Sequence, residues 1–340
     1  MRPRLSRTGR EGPTSPLWTI PALLAGVLAN AAPGERLPRG WEEGLAPGVN
    51  WGLAARYPMD AGLERDPDVL VFEDSEKGRI TIPHKEGNRF EAFLKITDAQ
   101  SFAGRHSAES AREKGKKGGA SRTWLPRSAH QGDNPAYFVR AYRRFDRSFH
   151  PGDVRRAVGL KGMGICCLKS KFDGRGGAVA GGTCDGTNWY TVEDQFVGRE
   201  GNGPGSQDRY SWFGHLYSYM PFPNGVAAKI GEIKIHKPPT TRFSCYSKPM
   251  RFVPYDTWVC FELGPYLNTP GKRDGEARYW VDGVLQARTT NMCFRTVPEA
   301  LPEVATFNLY RTTPDFPQTR KLWMDNIVVA RRYIGPAKTK

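Results

Sequence analysis

The chain has 340 residues with a formal net charge of +15, and it contains 38 glycines and 27 prolines. So many turn-forming residues favour short strands over long helices, and the apolar runs are too short for a membrane-spanning helix. The positive charge suits a polyanionic partner, namely nucleic acid, an anionic membrane or an acidic polysaccharide. No helix-turn-helix or RNA-recognition signature is present, and we therefore expect no nucleic-acid partner and no membrane span.

The N-terminal segment combines a basic start with an apolar stretch. Four arginines among the first ten residues precede the apolar residues 17–29, and Ala29-Asn30-Ala31 has the small-x-small pattern of a signal-peptidase site. The pattern predicts a signal peptide over residues 1–32, and hence a secreted or periplasmic protein. The alternative is a disordered tail with a short apolar patch. Residues 33–65 lack periodicity and are interpreted as a linker or a strand-poor lead-in.

Strand-like segments begin near residue 69, with short β-branched or aromatic runs at 69–72, 80–82 and 92–97. The segment 98–134 is expected to be loop-rich, and its Gly-rich basic part, 112–122, to be a solvated loop.

The segment 137–145 has an alternating pattern. Because side chains on a strand alternate between its two faces, Tyr137, Val139, Ala141 and Phe145 share one face. The other face carries Arg140, Tyr142 and Arg144. The alternation predicts a strand with one buried face and one basic, aromatic face.

Nine further strands are predicted from the same signals, at 157–168, 187–197, 210–220, 226–236, 257–267, 277–281, 284–290, 304–311 and 321–330. Asp282-Gly283 marks a hairpin, because a two-residue type I′ turn needs positive φ at both positions. Strands at this spacing predict an all-β domain over residues 66–336, built as an antiparallel sandwich or jelly roll of two sheets.

The six cysteines lack the spacing of a zinc site. Two alternatives remain open, namely disulfides in an exported protein and buried free thiols. Adjacent Cys166 and Cys167 face opposite sides of a strand, so they are not expected to pair with each other.

The segment His215-Leu-Tyr-Ser-Tyr219 places an imidazole and two phenols on one strand face. Such a face suits a sugar-binding groove, and it suits proton transfer, because histidine and tyrosine can each act as acid or base. The alternative is an interface stripe in which each tyrosine buries its ring and exposes its hydroxyl.

Several segments between residues 137 and 336 resemble, in consistent order, a family of concanavalin-like jelly-roll proteins related to polysaccharide lyases, including alginate and glucuronan lyases. The resemblance rests on Tyr137-Phe138, Gly159-Leu-Lys-Gly-Met-Gly164, Asp185-Gly-Thr-Asn-Trp-Tyr190, Leu216-Tyr-Ser-Tyr219, Leu267-Asn-Thr-Pro-Gly271, Trp280-Val-Asp-Gly283, Trp323-Met-Asp-Asn-Ile-Val-Val-Ala330 and Tyr333-Ile-Gly-Pro336. It implies a concanavalin-like fold and β-elimination on chains of uronic acids.

This chemistry needs a cation to neutralise the C5 carboxylate, a base for the α-proton and an acid for the leaving oxygen. The resemblance implies that Tyr219 and Tyr217 handle the proton, with His215 assisting and Lys161 as the cation. In another register Gly159 takes the place of Lys161, which would still share the same strand face. The alternative for Lys161 is a solvated strand-end lysine. An enzymatic site requires the tyrosines, Lys161 and an arginine to converge on one cleft.

The expected substrate-binding residues are Arg140, Tyr142, Arg144, Trp189, Thr191 and Glu193. Glu193 departs from the family pattern, since relatives of the alginate type carry Ser-x-Arg where this chain has Thr191-Val192-Glu193. An anion there repels a uronate unless Arg140, Arg144 or Lys161 pairs with it. Three alternatives follow: the substrate is held differently, Glu193 is itself an acid or base, or activity is lost.

The leading hypothesis is a lyase acting on an acidic polysaccharide, and the alternative is a non-catalytic carbohydrate-binding protein. No cofactor is expected. A structural calcium ion at Asp325-Asn326 is a weaker alternative.

Overall fold

The computed structural model describes residues 52–83, 94–115, 118–130, 135–149, 157–168, 184–200, 210–236, 241–247, 250–310 and 318–337. The chain divides into two compact units, Met1–Leu37 and Pro38–Lys340, and every described residue belongs to the second. The expected signal peptide, residues 1–32, lies outside the described residues. No helix among the described residues is long and apolar enough to cross a membrane.

The described residues form sixteen strands, and their pairings within the sheets are antiparallel. The first sheet consists of β1 (Val69–Glu73), β2 (Lys95–Thr97), β3 (Ser107–Arg112), β5 (Phe138–Phe145), β9 (Ala227–Ile230), β12 (Trp258–Tyr266), β13 (Gly275–Val281), β14 (Val284–Met292) and β16 (Arg320–Ala330). The second sheet consists of β4 (Gly118–Trp124), β6 (Ala157–Cys167), β7 (Tyr190–Glu200), β8 (Tyr210–Tyr219), β10 (Glu232–Ile235), β11 (Arg242–Tyr246) and β15 (Val304–Tyr310). Short 3-10 helices lie at Leu53–Arg56, Pro58–Asp60, Leu63–Arg65, Arg127–His130 and Arg147–Phe149.

The strand order of the first sheet is β2-β3-β16-β5-β12-β13-β14-β9, with β1 also paired to β16. The order of the second is β10-β11-β8-β7-β6-β15-β4. Neighbours in space are mostly distant in sequence, as crossing connections between two sheets require. The prediction of an all-β jelly-roll sandwich is confirmed.

The space between the sheets is filled by aliphatic and aromatic side chains, including Phe261 from the first sheet and Val192 and Phe196 from the second. Each fully buried residue of this size stabilises the fold by about 1.5–3 kcal/mol. A fully buried ion pair between Arg143 on β5 and Asp194 on β7 joins the two sheets through this core. The Arg143 guanidinium lies 4.0 Å from the centroid of the Phe261 ring.

The predicted hairpin at Asp282-Gly283 is present between β13 and β14. Asp282 has φ 48° and Gly283 has φ 75°, and Val281 pairs with Val284. Both residues adopt the left-handed conformation that the type I′ turn requires.

The outer face of the first sheet is covered by the chain itself. Residues Leu53, Ala54 and Leu63 pack with Phe138, Trp280 and Tyr333 in a second apolar cluster. The predicted basic, aromatic face of β5 is present, but the chain covers Arg140 and Tyr142, so both faces of this strand are buried apart from the partly exposed Arg144. Of the segment interpreted as a linker, residues 52–65 form part of this cover.

Two other expectations about strands are wrong. Residues 80–82 form no strand, because the backbone N–H groups of Thr81 and Ile82 bond to the Glu73 carboxylate instead of to a neighbouring strand. The basic segment 112–122 is not wholly a solvated loop, because Arg112 is fully buried and β4 pairs with β15.

All six cysteines are buried free thiols, so the disulfide alternative is wrong. Burial raises the pKa of five of these thiols, namely Cys166, Cys184, Cys245, Cys260 and Cys293. They remain protonated and unreactive at neutral pH.

Candidate active site

The candidate site lies on the outer face of the second sheet. Gly214 on β8 faces the sandwich interior, since a Cβ there would lie 2.0 Å from the Tyr279 hydroxyl of the opposite sheet. Side chains alternate along the strand, so His215, Tyr217 and Tyr219 point away from the interior. The tyrosine hydroxyls therefore do not enter the sandwich core.

Cross-strand pairing sets the neighbours of the two tyrosines. Tyr219 lies between Thr191 on β7 and Arg242 on β11, while Tyr217 lies between Glu193 and Ser244. Directly opposite residues in an antiparallel pair project to the same side of the sheet. The sheet thus brings hydroxyl, carboxylate and guanidinium groups onto one face.

The two tyrosines are in direct contact. Tyr217 Oη donates to Tyr219 Oη at 3.0 Å, and an Arg242 guanidinium nitrogen donates to Tyr217 Oη at 3.2 Å. Burial and the neighbouring Tyr219 raise the pKa of Tyr217 well above its usual range, so Tyr217 keeps its proton. A hydrogen bond donated to Tyr219 Oη stabilises negative charge on that oxygen.

Lys161 joins the same cluster from β6. Its Nζ lies 5.5 Å from the ring centroids of both Tyr217 and Tyr219, and 2.9 Å from Glu193 Oε2. Burial disfavours the charged lysine, but the attraction and hydrogen bond of Glu193 outweigh it and raise the pKa of Lys161. The anion that departs from the family pattern is therefore paired with Lys161.

The second carboxylate oxygen of Glu193 is also occupied, because Asn308 Nδ2 donates to Oε1 at 3.2 Å. Gly164 lies directly opposite Glu193 across β6 and β7. A Cβ at Gly164 would lie 2.6 Å from Glu193 Cγ, so glycine there leaves room for the glutamate side chain. Glu193 is built into the site face and is only 5% exposed.

His215 occupies the same face but does not bond to the tyrosines. Its ring stacks on Tyr246 with centroids 4.6 Å apart, and its centroid lies 6.4 Å from that of Tyr217. Burial lowers the pKa of His215 to about 3, so the imidazole is neutral. His236 lies nearby, with Nε2 3.0 Å from Ser244 Oγ.

Of the expected substrate-binding residues, Trp189, Thr191 and Glu193 lie near the tyrosines. The Trp189 ring packs 5.4 Å from the ring of Tyr219, and the Thr191 hydroxyl has no hydrogen-bond partner among the described residues.

The other three, Arg140, Tyr142 and Arg144, lie on β5 in the opposite sheet and do not line this face. The Arg140 guanidinium is fully buried against Asp60 and the carbonyl of Gly335. The Tyr142 hydroxyl accepts from the backbone N–H of Ala337, and Arg144 pairs with Asp256. The expectation that they share a site with the tyrosines is wrong, because alternation assigns a strand face but not a sheet.

No family model matches the sequence, and no curated protein matches it by sequence. Solved structures match its fold. The PL-14 alginate lyase from Aplysia kurodai is 16% identical, with a TM-score of 0.52 over 77% of this chain and 98% of that chain. A variant of the alginate lyase Aly36B in complex with alginate trisaccharide is 16% identical, with a TM-score of 0.51 over 76% and 97%. The alginate lyase vAL-1 from Chlorella virus is 15% identical, with a TM-score of 0.50 over 72% and 90%.

The chain has the fold of alginate lyases. The resemblance in fold expected from the sequence is thus confirmed. At this identity the likeness establishes the fold, and the chemistry has to be argued from the chain's own residues.

Sequence reasoning missed the arginine of the site. Arg242 begins β11, a strand absent from the predicted set, and it has no carboxylate partner among the described residues. The signal is present in Arg242-Phe-Ser-Cys-Tyr246, where polar and apolar residues alternate. Phe243 and Cys245 are fully buried on one side, and Arg242 and Tyr246 are partly exposed on the other.

The carboxylate of Asp325, the weaker calcium candidate, is hydrogen-bonded to the backbone. Its carboxylate accepts hydrogen bonds from the N–H groups of Phe102, Ala103 and Asn326. Among the described residues, no group of three or more His, Cys, Asp or Glu side chains is arranged to hold a metal ion.

Proposed function

We propose that the protein is a polysaccharide lyase that cleaves a uronate-containing glycan by β-elimination. The observation that carries the proposal is the convergence of Tyr217, Tyr219, Arg242 and Lys161 on one sheet face, with the two phenol oxygens 3.0 Å apart. This set contains a cation for the substrate carboxylate and hydroxyls for proton transfer, which are the groups that β-elimination requires.

Arg242 is the group that neutralises the C5 carboxylate. It is partly exposed and has no carboxylate partner among the described residues, so its charge is available to a ligand. Pairing with the carboxylate disperses negative charge that would otherwise oppose loss of the C5 proton. A guanidinium can hold a carboxylate through two parallel hydrogen bonds.

Tyr219 carries the proton. Its phenolate, stabilised by the hydrogen bond from Tyr217, removes the C5 proton; the C4–O bond breaks and a C4–C5 double bond forms. The phenol then returns the proton to the departing glycosidic oxygen. Tyr217 remains protonated throughout and positions Tyr219. His215, which is neutral and without contact to either hydroxyl, has no step in this scheme.

The proposed partner is an acidic polysaccharide, in keeping with the net charge of +15. Such a polymer does not enter cells, so the export predicted from residues 1–32 suits this substrate.

A non-catalytic carbohydrate-binding protein is the second candidate. Two observations favour it: Lys161 is already paired with Glu193, and Tyr217 and Tyr219 are each only 3% exposed. Under this alternative the face binds a glycan but the tyrosines act as packing groups.

The two candidates differ in the product. The wild-type protein is incubated with unsulfated acidic glycans, and the unsaturated uronyl product is followed by its ultraviolet absorbance. We expect Tyr219→Phe to lower kcat by at least about 100-fold, the usual contribution of an acid–base group, while glycan binding is retained. Tyr142→Phe, the same change on the opposite sheet, is the control and leaves kcat unchanged.

Binding without product from any glycan would favour the second candidate. Product formation at the wild-type rate by Tyr219→Phe would contradict the assigned role of Tyr219.

A further inference from the structure

The Lys161–Glu193–Asn308 arrangement is a built feature of the site face. Both carboxylate oxygens of Glu193 are used, one by Lys161 Nζ at 2.9 Å and one by Asn308 Nδ2 at 3.2 Å. Glycine at position 164 leaves the space in which the glutamate side chain lies. These contacts fix Glu193 beside the tyrosines, with one donor on each of its carboxylate oxygens.

The Lys161–Glu193 ion pair changes the net charge that this face presents to a charged ligand. A carboxylate that approaches Lys161 also approaches Glu193, and the attraction of one is offset by the repulsion of the other. Arg242 has no such partner among the described residues. Of the two cations beside the tyrosines, Arg242 therefore presents net positive charge, whereas the position formed by Lys161 and Glu193 has no net charge.

The uncharged position still carries hydrogen-bonding capacity. An ammonium has three donors and only one is spent on Glu193, so Lys161, 21% exposed, retains donors for a ligand. Asn308 retains its carbonyl oxygen, and Thr306 lies on the same face, 3.5 Å from Asn308 Nδ2. Hydroxyl and amide groups of an uncharged sugar match these donors and acceptors, whereas a second carboxylate gains little.

We propose that Glu193 is a specificity-determining residue that reserves the Lys161 position for an uncharged sugar. The substrate is then a glycan in which uronates alternate with neutral or N-acylated sugars, rather than a polyuronate. This inference rests on the proposed function for its turnover measurements, but its binding measurements are independent of it.

The test compares two unsulfated glycans at equal uronate concentration: hyaluronan, which alternates uronate with an N-acetylhexosamine, and alginate, which is a polyuronate. We expect the wild-type kcat/KM to be at least about 10-fold higher on hyaluronan, which corresponds to one hydrogen bond to a charged group. Glu193→Gln frees the charge of Lys161, and we expect it to shift the ratio at least about 10-fold towards alginate.

Two variants control for charge and for folding. Glu64→Gln makes the same change at a glutamate that lies in the 3-10 segment covering the opposite sheet and is 43% exposed; it leaves the ratio unchanged. Lys161→Gln combined with Glu193→Gln removes both charges, so the position stays neutral and the wild-type preference returns. If Glu193→Gln alone does not fold, Lys161→Gln decides the matter, because it leaves the charge of Glu193 unpaired and should shift the ratio further towards hyaluronan.

A wild-type preference for alginate, or a ratio that Glu193→Gln does not move, would overturn the inference. If no uronate-containing glycan, these two included, yields product, the proposed function fails instead. The inference is then judged by calorimetric Kd values for tetrasaccharides of the two glycans, in which the same ratio and the same shift are expected.

Discussion

The outer faces of the two sheets both carry arginines and tyrosines, but among the described residues a carboxylate neutralises the arginine on only one of them. On the first sheet, Asp60 from the covering segment 53–65 neutralises Arg140, and the Phe102 ring stacks on Tyr142. On the second sheet, Arg242 contacts Tyr217 and no carboxylate among the described residues neutralises it. A strand face with cations and aromatics becomes a structural layer when the chain supplies a cover and a counter-ion. Where the chain supplies no counter-ion, a partly exposed cation such as Arg242 stays available to a ligand, even though Tyr217 and Tyr219 beside it are only 3% exposed.

The largest effect is expected from removing the arginine of the covered face. Arg140→Met leaves Asp60 buried without its cation, and breaking a buried pair in this way costs about 3–5 kcal/mol. Urea denaturation should show this loss in the free energy of unfolding. Arg140→Met combined with Asp60→Leu should recover most of it, because the buried charge is gone. If Arg140→Met alone were as stable as the wild type, the Arg140–Asp60 pair would not stabilise the covered face, and the comparison of the two faces would fail.

The covered face should also respond to pH through Asp325. This residue clamps the loop that places Phe102 on the Tyr142 ring, with centroids 3.5 Å apart. Burial raises the pKa of Asp325 from 3.8 to about 7, against the opposing effect of its backbone donors. The folded state therefore holds the proton more tightly than the unfolded state, and the stability this confers is lost as pH rises from about 4 to about 7.

The expected loss is at most about 4 kcal/mol, at about 1.4 kcal/mol per pKa unit. Thermal unfolding across this pH range measures it. Asp325→Asn should remove the slope and be the more stable protein at pH 8, while Asp256→Asn, at an exposed aspartate, keeps the slope. A slope that survives in Asp325→Asn would show that other groups cause it.

Substitution of Arg242 should change the free energy of unfolding least. It should, however, lower activity. Arg242→Gln should lower kcat/KM by about 10- to 100-fold, because a hydrogen bond to a charged group contributes about 1.5–3 kcal/mol. Its free energy of unfolding should change by less than about 1 kcal/mol, since no buried charge is left unpaired. Arg144→Gln, on the covered face, should leave kcat/KM unchanged. Equal losses in both variants would mean that net charge alone acts.

Local signals predicted the fold well. The alternation along 210–220, the hairpin at Asp282-Gly283 and the aromatic strands near the C-terminus each depend on neighbours in sequence, and all are present. The segment Gly118–Trp124 was missed because its glycines and charges disfavour a strand in isolation. Pairing with β15 overrides that preference.

Only part of the candidate site could be predicted from the sequence, because local patterns show which residues share a strand face but not what packs on it. Tyr217, Tyr219 and Lys161 converge as expected, because the period of the strand fixes the two tyrosines on one face. Arg140 was assigned to the site because alternation shows a face but not what covers it. Its counter-ion, Asp60, lies 80 residues away in a segment without periodicity, so no local pattern connects the two.

The central claim is that a uronate glycan binds the outer face of the second sheet and not that of the first. Hydrogen–deuterium exchange with and without a uronate-containing tetrasaccharide tests it most directly. We expect new protection in β7, β8 and β11, and none in residues 53–65 or in β5. Protection confined to residues 53–65 and β5, with β8 and β11 unchanged, would contradict the account.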